Sequence, residues 1–529
     1  MNYQIADPDP SKLMERWQLS ELCARLIAAS LLSEEQIREL LDADSTIRVS
    51  KAPCIDQVCQ ALMEAKRKKQ KVFVAGDYDA DGVCSTAIMK DTLDRLGIEN
   101  GYYIPNRFRE GYGLSAATVR AASEKGYQLI VTVDNGVKCH EAIACAHDLG
   151  MKIIVTDHHR MEEEVPADLL VHPDLMEEIC QDLCGAGVAL QISRTLLGDV
   201  PKHTALAMIA TLGDVMPLWR QNRQILKQGM TALSQNALLP ASVLLRDSDT
   251  VHEDAVRFQI VPKLNSVGRL SDRANVNTLV QYLLCENPRM IESYRVQLNR
   301  LNETRRAISA GMVTKAEQMM REEPVSILYD PQFHEGICGL AAGRLADTYQ
   351  RPFIILAKHA DMLKGSARSV PGFDLYEFLS TMEELTEFGG HAQAVGLSLP
   401  ASRLEQFRAS VAEKLSEVSL KPETEKKKAV RIPARDLCVS QIMELEGLRP
   451  FPKELITCCA VEEPEVVSIQ NYSRVTRVRM QSPSGFYDGI CFSWQGIEWT
   501  KRPHWIFGQP EINRFRDRIS VQLAVEAIE

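Results

Sequence analysis

The sequence predicts an α/β protein with a parallel-sheet lobe, a long connecting helix, a second α/β lobe and a small C-terminal β-barrel. Three patterns support this prediction. Short apolar runs alternate with helix-length segments in residues 72–172, an amphipathic stretch occupies residues 288–323, and short runs of alternating polarity recur in residues 475–524. Strands that alternate with helices form a parallel sheet that helices cover on both faces.

The chain is too long for one hydrophobic core. Typical domain sizes predict about three to four compact units in 529 residues. We place the boundaries where the pattern changes: a helical N-terminal segment at 1–49, a catalytic lobe at 50–287, a connecting helix at 288–323, a second lobe at 324–420 and a β-rich domain at 429–529. Residues 421–428, KPETEKKK, have the composition of a charged linker.

The composition excludes several classes of protein. The fractions of 25% charged and 45% hydrophobic residues are those of a soluble globular protein. No apolar run reaches the roughly 20 residues that span a bilayer, and the N-terminus has no secretory apolar segment, so we expect a cytoplasmic protein. The net charge of −10 argues against indiscriminate nucleic-acid binding but is compatible with a local basic channel. The fourteen cysteines include no C-x-x-C pair, which favours reduced thiols over a zinc site.

The first predicted strand, residues 72–74, brings three carboxylates to its carboxyl end: Asp77, Asp79 and Asp81. Glycines within this loop permit tight turns, and a helical pattern begins after it. Three like charges this close repel one another unless cations neutralise them or water solvates them freely. Taken alone, the loop fits a calcium-type acidic loop as well as a catalytic metal site.

Further polar residues follow the next predicted strands. Asp134 ends one strand, Asp157, His158 and His159 end another, and Asp214 ends a helical segment. Ligands gather beyond the carboxyl ends of parallel strands, so we expect these groups to converge. Carboxylates with an imidazole suit manganese or magnesium, and they suffice for two ions that share a bridging acid. The histidine pair also fits a structural role in ordering a loop, but its place after a strand favours a metal site.

Several segments resemble one family. Four of them, GDYDADG, VDNG, TDHH and GDVMPL, occur in the order of the motifs of the DHH phosphoesterase superfamily. Others narrow the resemblance to the RecJ single-stranded-DNA exonucleases: IPNRFREGYGL, CGAGVAL, KLNSVGRL, HEGICGLAAGRL, GSARSVPGFDL and FGGHAQAVGLSL. The resemblance covers residues 50–400 strongly and the C-terminal region more loosely. The combination is specific, whereas each motif alone is not.

The resemblance implies two bound divalent cations, with Mn²⁺ favoured and Mg²⁺ as the alternative. The implied ligands are Asp77, Asp79, Asp81, Asp134, His158 and Asp214, with Asp134 as the bridge. All of these except Asp77 are also implied catalytic residues, together with His159, which would contact substrate phosphate rather than metal. Many relatives carry a histidine where this chain has Ala75, so one ion would rely more on Asp77.

The second lobe contains two candidate phosphate-binding segments. Its predicted strands are VSILY and PFIIL, and its predicted helices are 339–349 and 402–418. The segments GSARS and GGH combine permissive backbone with hydroxyl, guanidinium and imidazole donors, as a phosphate cradle requires. The resemblance implies six substrate contacts: Ser366 and Arg368 to the 5′ phosphate, His391 to the DNA backbone, and Arg107, Asn265 and Arg269 on the facing side.

The C-terminal strands, predicted at 475–480, 487–492 and 519–524, carry alternating arginines and several aromatic residues. Such a pattern suits an OB-fold surface that stacks bases and tracks phosphates, although it also fits a solvated face above core aromatics. The resemblance favours DNA binding. The candidate residues are Arg477, Arg479, Arg514, Arg516, Arg518, Phe486, Tyr487 and Trp494. Residues 450–455, PFPKEL, replace a P-F-G-x-x-N-P-like turn that is frequent in the family.

The resemblance implies a metal-dependent 5′ to 3′ exonuclease that acts on single-stranded DNA in repair and recombination and releases nucleoside 5′-monophosphates. Two alternatives stay open: a DHH oligoribonuclease or a nucleotide or cyclic-dinucleotide phosphodiesterase, and a non-catalytic DNA-binding scaffold. The β-rich domain argues against the first, and the retained acids argue against the second. We expect a monomer that binds 5′-phosphorylated single strands and contacts no membrane, with a single-strand-binding protein or a helicase as candidate partners.

Overall fold

The computed structural model describes residues 3–246, 251–417, 426–473, 475–492, 497, 499, 503–515 and 518–529. Two α/β lobes are joined by a long helix, and a β-rich domain packs on the first lobe. Trp494, Arg516 and most of the predicted linker 421–428 lie outside the described residues. Among the helices that the structure describes, none has the length and apolar character needed to cross a membrane.

The N-terminal segment, predicted to be helical, begins with a strand. Ser33 caps the third helix in a capping box: its hydroxyl accepts from the Gln36 amide, and the Gln36 side chain accepts from the Ser33 amide. This box fixes the start of a helix whose Ile37 and Leu40 face the core. The elements are β1 (Tyr3–Ala6), α1 (Ser11–Trp17), α2 (Glu21–Ala29) and α3 (Glu34–Leu41).

The first lobe is built on the predicted parallel sheet. Its elements are α4 (Pro53–Lys68), β2 (Val72–Ala75), α5 (Ala80–Leu96), β3 (Asn100–Tyr103), α6 (Ala116–Glu124), β4 (Leu129–Val133), α7 (His140–Asp148), β5 (Lys152–Thr156), β6 (Leu169–Val171), α8 (Gly185–Leu197), α9 (Pro201–Gly213), α10 (Arg220–Ser234), α11 (Leu239–Ser242), α12 (Glu253–Ala255), α13 (Val261–Arg269) and α14 (Asn277–Leu283). The five parallel strands run in the order β3-β2-β4-β5-β6. Every residue of β2 and β4 is buried, because helices cover both faces.

The connecting helix and a second α/β lobe are present, and the helix ends at Met319 rather than at residue 323. The elements are α15 (Pro288–Met319), β7 (Ser326–Tyr329), α16 (Cys338–Tyr349), β8 (Phe353–His359), β9 (Met362–Arg368), α17 (Leu375–Leu379), β10 (Glu387–His391), β11 (Ala394–Pro400) and α18 (Leu404–Glu417). The second sheet has the order β10-β11-β9-β8-β7. Its two candidate phosphate-binding segments lie in strands: most of GSARS is in β9 and GGH is in β10. Antiparallel pairing with β11 holds both segments extended.

The C-terminal domain is an open sheet, and the predicted barrel is not confirmed. Its elements are β12 (Lys427–Arg431), α19 (Val439–Gly447), β13 (Cys459–Glu462), β14 (Glu465–Asn471), β15 (Val475–Ser482), β16 (Gly485–Phe492), β17 (Trp505–Phe515) and β18 (Arg518–Ile528). The eight strands run in the order β1-β12-β13-β17-β18-β16-β15-β14. Over the described residues, β1 and β14 lie at opposite edges and do not pair, so the sheet does not close.

The N-terminal segment belongs to this same sheet and core. β1 pairs in parallel with β12, and the ring of Tyr3 stacks on that of Phe507 with centroids 4.2 Å apart. Leu22, Leu26 and other side chains of α2 and α3 pack in one hydrophobic cluster with residues of β12 to β18. A period-based analysis of the sequence could not predict this pairing, because the two strands are separated by most of the chain.

A buried arginine joins the first lobe to both ends of the chain. The Arg223 guanidinium of α10 donates to the carbonyl oxygens of Pro450 at 2.7 Å, Leu448 at 2.8 Å and Leu40 at 2.9 Å. Beside it, Glu253 accepts from the Phe451 amide at 2.9 Å and from Arg449 at 2.6 Å. The turn that departs from the family pattern therefore docks the C-terminal domain on the first lobe.

Candidate active site

The acidic loop lies where the strand order of the first sheet reverses. β3 lies on one side of β2 and β4 on the other, so the loops after β2 and β4 leave in different directions and open a crevice between them. Asp77 follows β2 and Asp134 follows β4. The topology thus brings together acids that are far apart in the sequence.

Backbone amides fix the carboxylates of this loop. Asp79 caps α5, and its Oδ1 accepts from the amides of Asp81 at 2.9 Å and Gly82 at 3.0 Å. Asp81 accepts from the amides of Gly185 and Ala186, both at 2.7 Å, at the N-terminus of α8. Helix N-termini carry unpaired N–H groups and a partial positive charge, so they stabilise the ionised acids.

His158 lies at the centre of the cluster. Its Nε2 is 3.1 Å from Asp134 Oδ1 and 3.6 Å from both Asp81 Oδ2 and Asp214 Oδ2. Ligand atoms lie within 4.8 Å of one another in three groups: Asp77, Asp79 and Asp134; Asp81, His158 and Asp214; and Asp134, His158 and His159. Every acid and histidine predicted as a ligand is therefore in one place, and Asp134 belongs to two of the groups.

The cluster fits divalent cations. Asp77 Oδ1 and Asp134 Oδ1 are shielded from solvent, and neither accepts a well-formed hydrogen bond. Buried carboxylate oxygens without donors are costly unless a cation neutralises them. Carboxylate oxygens with one imidazole are the donors that Mn²⁺ and Mg²⁺ accept. The residues of these three groups could thus hold two such ions.

The crowding of acids perturbs their pKa values. Burial, followed by the charge of Asp81, raises the pKa of Asp134 well above its usual value and that of Asp214 to about 7. Burial and Asp79 likewise raise the pKa of Asp77. Burial lowers the pKa of His158, which favours the neutral imidazole that can ligate a metal. A cation must therefore displace protons from the acids.

We expect Mn²⁺ binding to weaken as the pH falls from 8 to 6. Protonation of Asp214, with a pKa of about 7, costs roughly tenfold in affinity at pH 6. The metal-free protein has the opposite linkage: an acid whose pKa is raised by folding binds protons better in the folded state, so its contribution to stability decreases as the pH rises from about 4 to 7. Titration calorimetry in two buffers should detect proton release, which Asp214→Asn should reduce. An affinity that is constant across this pH range would contradict the prediction.

The second lobe presents its candidate residues across a cleft of about 1130 Å³. Ser366 and His391 line this cleft on one side, and Arg107 and His159 line it on the other. Arg368, in the same strand as Ser366, lies at the N-terminus of α16: a Cβ at Gly339 would be 2.9 Å from its Nη2. Burial, and then the charge of Arg107, lower the pKa of Arg368.

Two candidate substrate contacts have structural partners. Asn265 Oδ1 accepts from the Ala80 amide at 2.8 Å and so holds the acidic loop against α13. Arg269 is half-buried near Tyr78, and burial, then Arg107 and Arg305, lower its pKa to about 10. Arg107 lies over the Tyr78 ring, with Cζ 5.0 Å from its centroid. Asn265 thus holds the acidic loop in place, and Arg107 and Arg269 both lie near Tyr78 of that loop.

Comparisons with known proteins assign the family. Residues 71–213 match the model of the DHH family, N-terminal domain, and residues 322–417 match that of the DHHA1 domain. The single-stranded-DNA-specific exonuclease RecJ of Bacillus subtilis is 30% identical over 99% of this chain and 70% of its own length. RecJ of Salmonella typhimurium is 35% identical over 69% of each chain.

The chain belongs to the RecJ family.

Solved structures agree with this RecJ assignment. A crystal structure of exonuclease RecJ bound to manganese is 29% identical, with a TM-score of 0.63 over 71% of this chain and 97% of that one. RecJ from Thermus thermophilus in complex with Mn²⁺ has the same fold, with a TM-score of 0.82 over 98% of this chain and 78% of that one at 24% identity. The resemblance inferred from the motifs is confirmed.

Sequence reasoning gave Asp157 no role of its own and missed two other contributors to this RecJ site. Asp157 orders the histidine pair: its Oδ1 accepts from His159 Nδ1 at 2.7 Å and from the His158 amide at 2.7 Å. Tyr112 places its hydroxyl 3.2 Å from His159 Nδ1 and 3.3 Å from the Asp134 carbonyl oxygen. The amides of α8 hold Asp81, as described above. Asp157 was visible as the first residue of its DHH motif, whereas the other two depend on tertiary contacts.

Proposed function

We propose that this chain is a metal-dependent exonuclease that degrades single-stranded DNA from its 5′ end and releases nucleoside 5′-monophosphates. The convergence of Asp77, Asp79, Asp81, Asp134, His158 and Asp214 at one point carries the proposal. The cleft is lined by residues of both lobes of one chain, and we propose that it admits a single strand but not a duplex. One chain supplies both walls, so a monomer is the proposed working state.

The residues have separate tasks in the proposed hydrolysis. The acidic cluster would hold two divalent cations, with Asp134 shared between them. Its ligands would be Asp77, Asp79, Asp81, Asp134, His158 and Asp214. When bound, such cations lower the pKa of an attacking water and neutralise charge on the scissile phosphate. Asp79 and Asp81 are held rigidly by backbone amides, so the site is preorganised and need not rearrange as charge develops.

His159 is proposed to bind the scissile phosphate. Burial lowers its pKa, but the hydrogen bond and charge of Asp157, helped by Asp214 and Asp77, raise it overall to about 9. The imidazole is therefore protonated at neutral pH and can donate to a phosphate oxygen. Its Nδ1 lies 2.7 Å from Asp157 and its Nε2 3.4 Å from the Tyr112 hydroxyl, and the residue lines the cleft.

Ser366 and Arg368 are proposed to recognise the terminal 5′ phosphate, with Arg107 opposite them. We expect Arg368→Lys to reduce the preference of kcat/KM for 5′-phosphorylated over 5′-hydroxyl oligonucleotides by about 10-fold, because lysine cannot form a bidentate pair with phosphate. Arg344→Lys, on the same lobe in α16, is the matched control. An unchanged preference in Arg368→Lys would remove Arg368 from the phosphate site.

The open C-terminal sheet is proposed to guide the single strand toward the cleft. Arg477 and Arg479 alternate along β15 on a face shared with Phe486, and Arg479 Cζ is 4.8 Å from the Phe486 ring centroid. Arg477 is already paired with Asp488 at 2.6 Å, so Arg479 is the freer of the two to bind phosphate. In this proposal a duplex must be opened before one of its strands can enter the cleft. A helicase or a single-strand-binding protein is therefore the proposed partner that supplies the single strand.

A time course with single strands labelled at either end tests the function. In the presence of Mn²⁺, a 5′ label should appear at once as mononucleotide, whereas a 3′ label should pass through progressively shorter fragments. A ladder from the 5′ label would instead indicate 3′ to 5′ action, and a blunt duplex degraded as fast as the single strand would contradict the strand preference. Dinucleotides hydrolysed much faster than long oligonucleotides would favour a small-substrate phosphodiesterase.

A further inference from the structure

The cleft wall contains an aromatic pair that the proposed chemistry does not use. Tyr376 of α17 and Phe388 of β10 line the same cleft as Ser366 and His391. Their ring centroids are 4.7 Å apart, with the planes inclined by 33°. Tyr376 is 39% exposed, whereas Phe388 is half-buried against the core of the second lobe. The pair thus presents one accessible aromatic ring, supported from behind by a second, to the space that the substrate would occupy.

The aromatic pair lies at the edge of the second sheet, on the face opposite to the proposed phosphate-binding residues. β10 is the edge strand, and successive residues in a strand point to opposite faces. Gly389 and Gly396 are register partners, and Ser366 is opposite Gly396, so these three residues share one face. A Cβ at Gly389 would meet no atom within 4 Å, which leaves bare backbone on that face. Phe388 projects to the other face, yet both faces at this edge line the cleft.

We propose that Tyr376 and Phe388 form a stacking platform for a nucleobase of the single strand. The sugar-phosphate backbone crosses the bare glycine face beside Ser366, and the attached base turns over the edge of β10 onto the exposed ring of Tyr376. This inference rests on the proposed function, because it names how that same cleft holds its substrate. Stacking needs only the π-face that every base has, so the platform accepts any sequence. A base can reach it only when unpaired.

A purely structural role explains Phe388 better than Tyr376. Phe388 packs against the core cluster of the second lobe, as expected for a strand residue above a helix. Tyr376 is on the same helix as Leu375, Phe378 and Leu379, which fill that core, but it points away from it into the cleft. A large aromatic ring left 39% exposed beside a candidate DNA-binding surface is what base stacking requires.

Steady-state kinetics on a 5′-phosphorylated oligonucleotide test the platform. Base stacking contributes about 5- to 150-fold in affinity per base, so Tyr376→Ala should raise KM at least about 5-fold with little change in kcat. Tyr376→Phe, which keeps the ring, should behave as wild type. Tyr349→Ala removes a tyrosine that is 41% exposed elsewhere on the same lobe and should also have no effect. Thermal unfolding of each variant checks that the lobe is folded.

Scanning an abasic site along the oligonucleotide locates the stacked base. Wild type should bind more weakly when the missing base falls at one position counted from the 5′ end, and Tyr376→Ala should lose this dependence. Equal KM values for Tyr376→Ala and wild type, or the same positional dependence in both, would overturn the platform. Binding measured by fluorescence anisotropy in an Asp134→Asn background gives this result without turnover, so failure of the platform can be told from failure of the exonuclease assignment.

Discussion

Asp134→Asn is expected to reduce the rate of single-strand hydrolysis by at least about 10³-fold, because the change removes the proposed shared ligand of two cations. Metal ions contribute several kcal/mol of charge stabilisation in the transition state, and each 1.36 kcal/mol corresponds to about tenfold in rate. Asparagine suits the position sterically: the Asp134 backbone has φ of 60°, a left-handed conformation that asparagine adopts readily. Initial rates of mononucleotide release with Mn²⁺ measure the effect.

Binding and stability should respond differently from turnover. The affinity of Asp134→Asn for single-stranded DNA should stay within a few-fold of wild type, because the residue contacts cations rather than DNA in the proposed site. Without metal, the variant should unfold at the same temperature as wild type or higher, since one of several repelling carboxylates is gone. Asp94→Asn, a surface acid paired with Lys90 on α5, is the matched control and should keep full activity. Near-normal turnover by Asp134→Asn would rule out the two-cation mechanism.

Arg223→Met is expected to destabilise the junction between the first lobe and the C-terminal domain by about 2–5 kcal/mol. The change removes three hydrogen bonds from a guanidinium that is 1% exposed and leaves the buried carbonyl oxygens of Leu40, Leu448 and Pro450 without donors. Each unsatisfied buried group costs about 1–3 kcal/mol, and the methionine side chain recovers part of this by packing. The first transition in urea denaturation, followed by tryptophan fluorescence, measures the loss; Trp219 lies at this junction.

Arg220→Met provides the comparison on the same helix. Arg220 pairs at the surface with Glu178 at 3.2 Å and Asp182 at 3.5 Å, and such pairs contribute about 0–1 kcal/mol. The two variants remove the same charge, so any difference between them reports burial of the guanidinium. If Arg223→Met unfolds within about 1 kcal/mol of Arg220→Met, the three carbonyl contacts do not stabilise the junction.

The first sheet and the acidic site could be predicted from the sequence because their signals are local. Runs such as LIVTV have the length and β-branched content of a buried strand, and the structure has β4 at the predicted residues. The parallel topology then dictates that acids after separate strands meet at one edge of the sheet. The sequence predicts the next strand at residues 102–104, whereas β3 spans Asn100–Tyr103; it is an edge strand of this sheet and is less apolar than β2 and β4.

The remaining features depend on contacts that a local pattern does not contain. GSARS and GGH resemble loops by their glycines, but pairing with β11 extends them into strands. The C-terminal barrel was expected from short strands of alternating polarity. An open sheet has strands of the same kind, so this pattern does not distinguish the two architectures. The substrate contact of Asn265 is implied by the resemblance and stays a prediction. Its hydrogen bond from the Ala80 amide, 185 positions away in the sequence, cannot be seen before the chain is folded.

The pairing of β1 with β12 has a consequence for synthesis of the chain. Leu22, Leu26 and Ile27 are translated before both lobes, yet most of the sheet that covers them is translated only after both lobes. At about 5–20 residues per second, this apolar surface waits roughly 20 to 80 s for its cover. The nascent chain therefore exposes an apolar surface while its two lobes are already able to fold. A molecular chaperone that binds this surface during translation would protect the chain from aggregation.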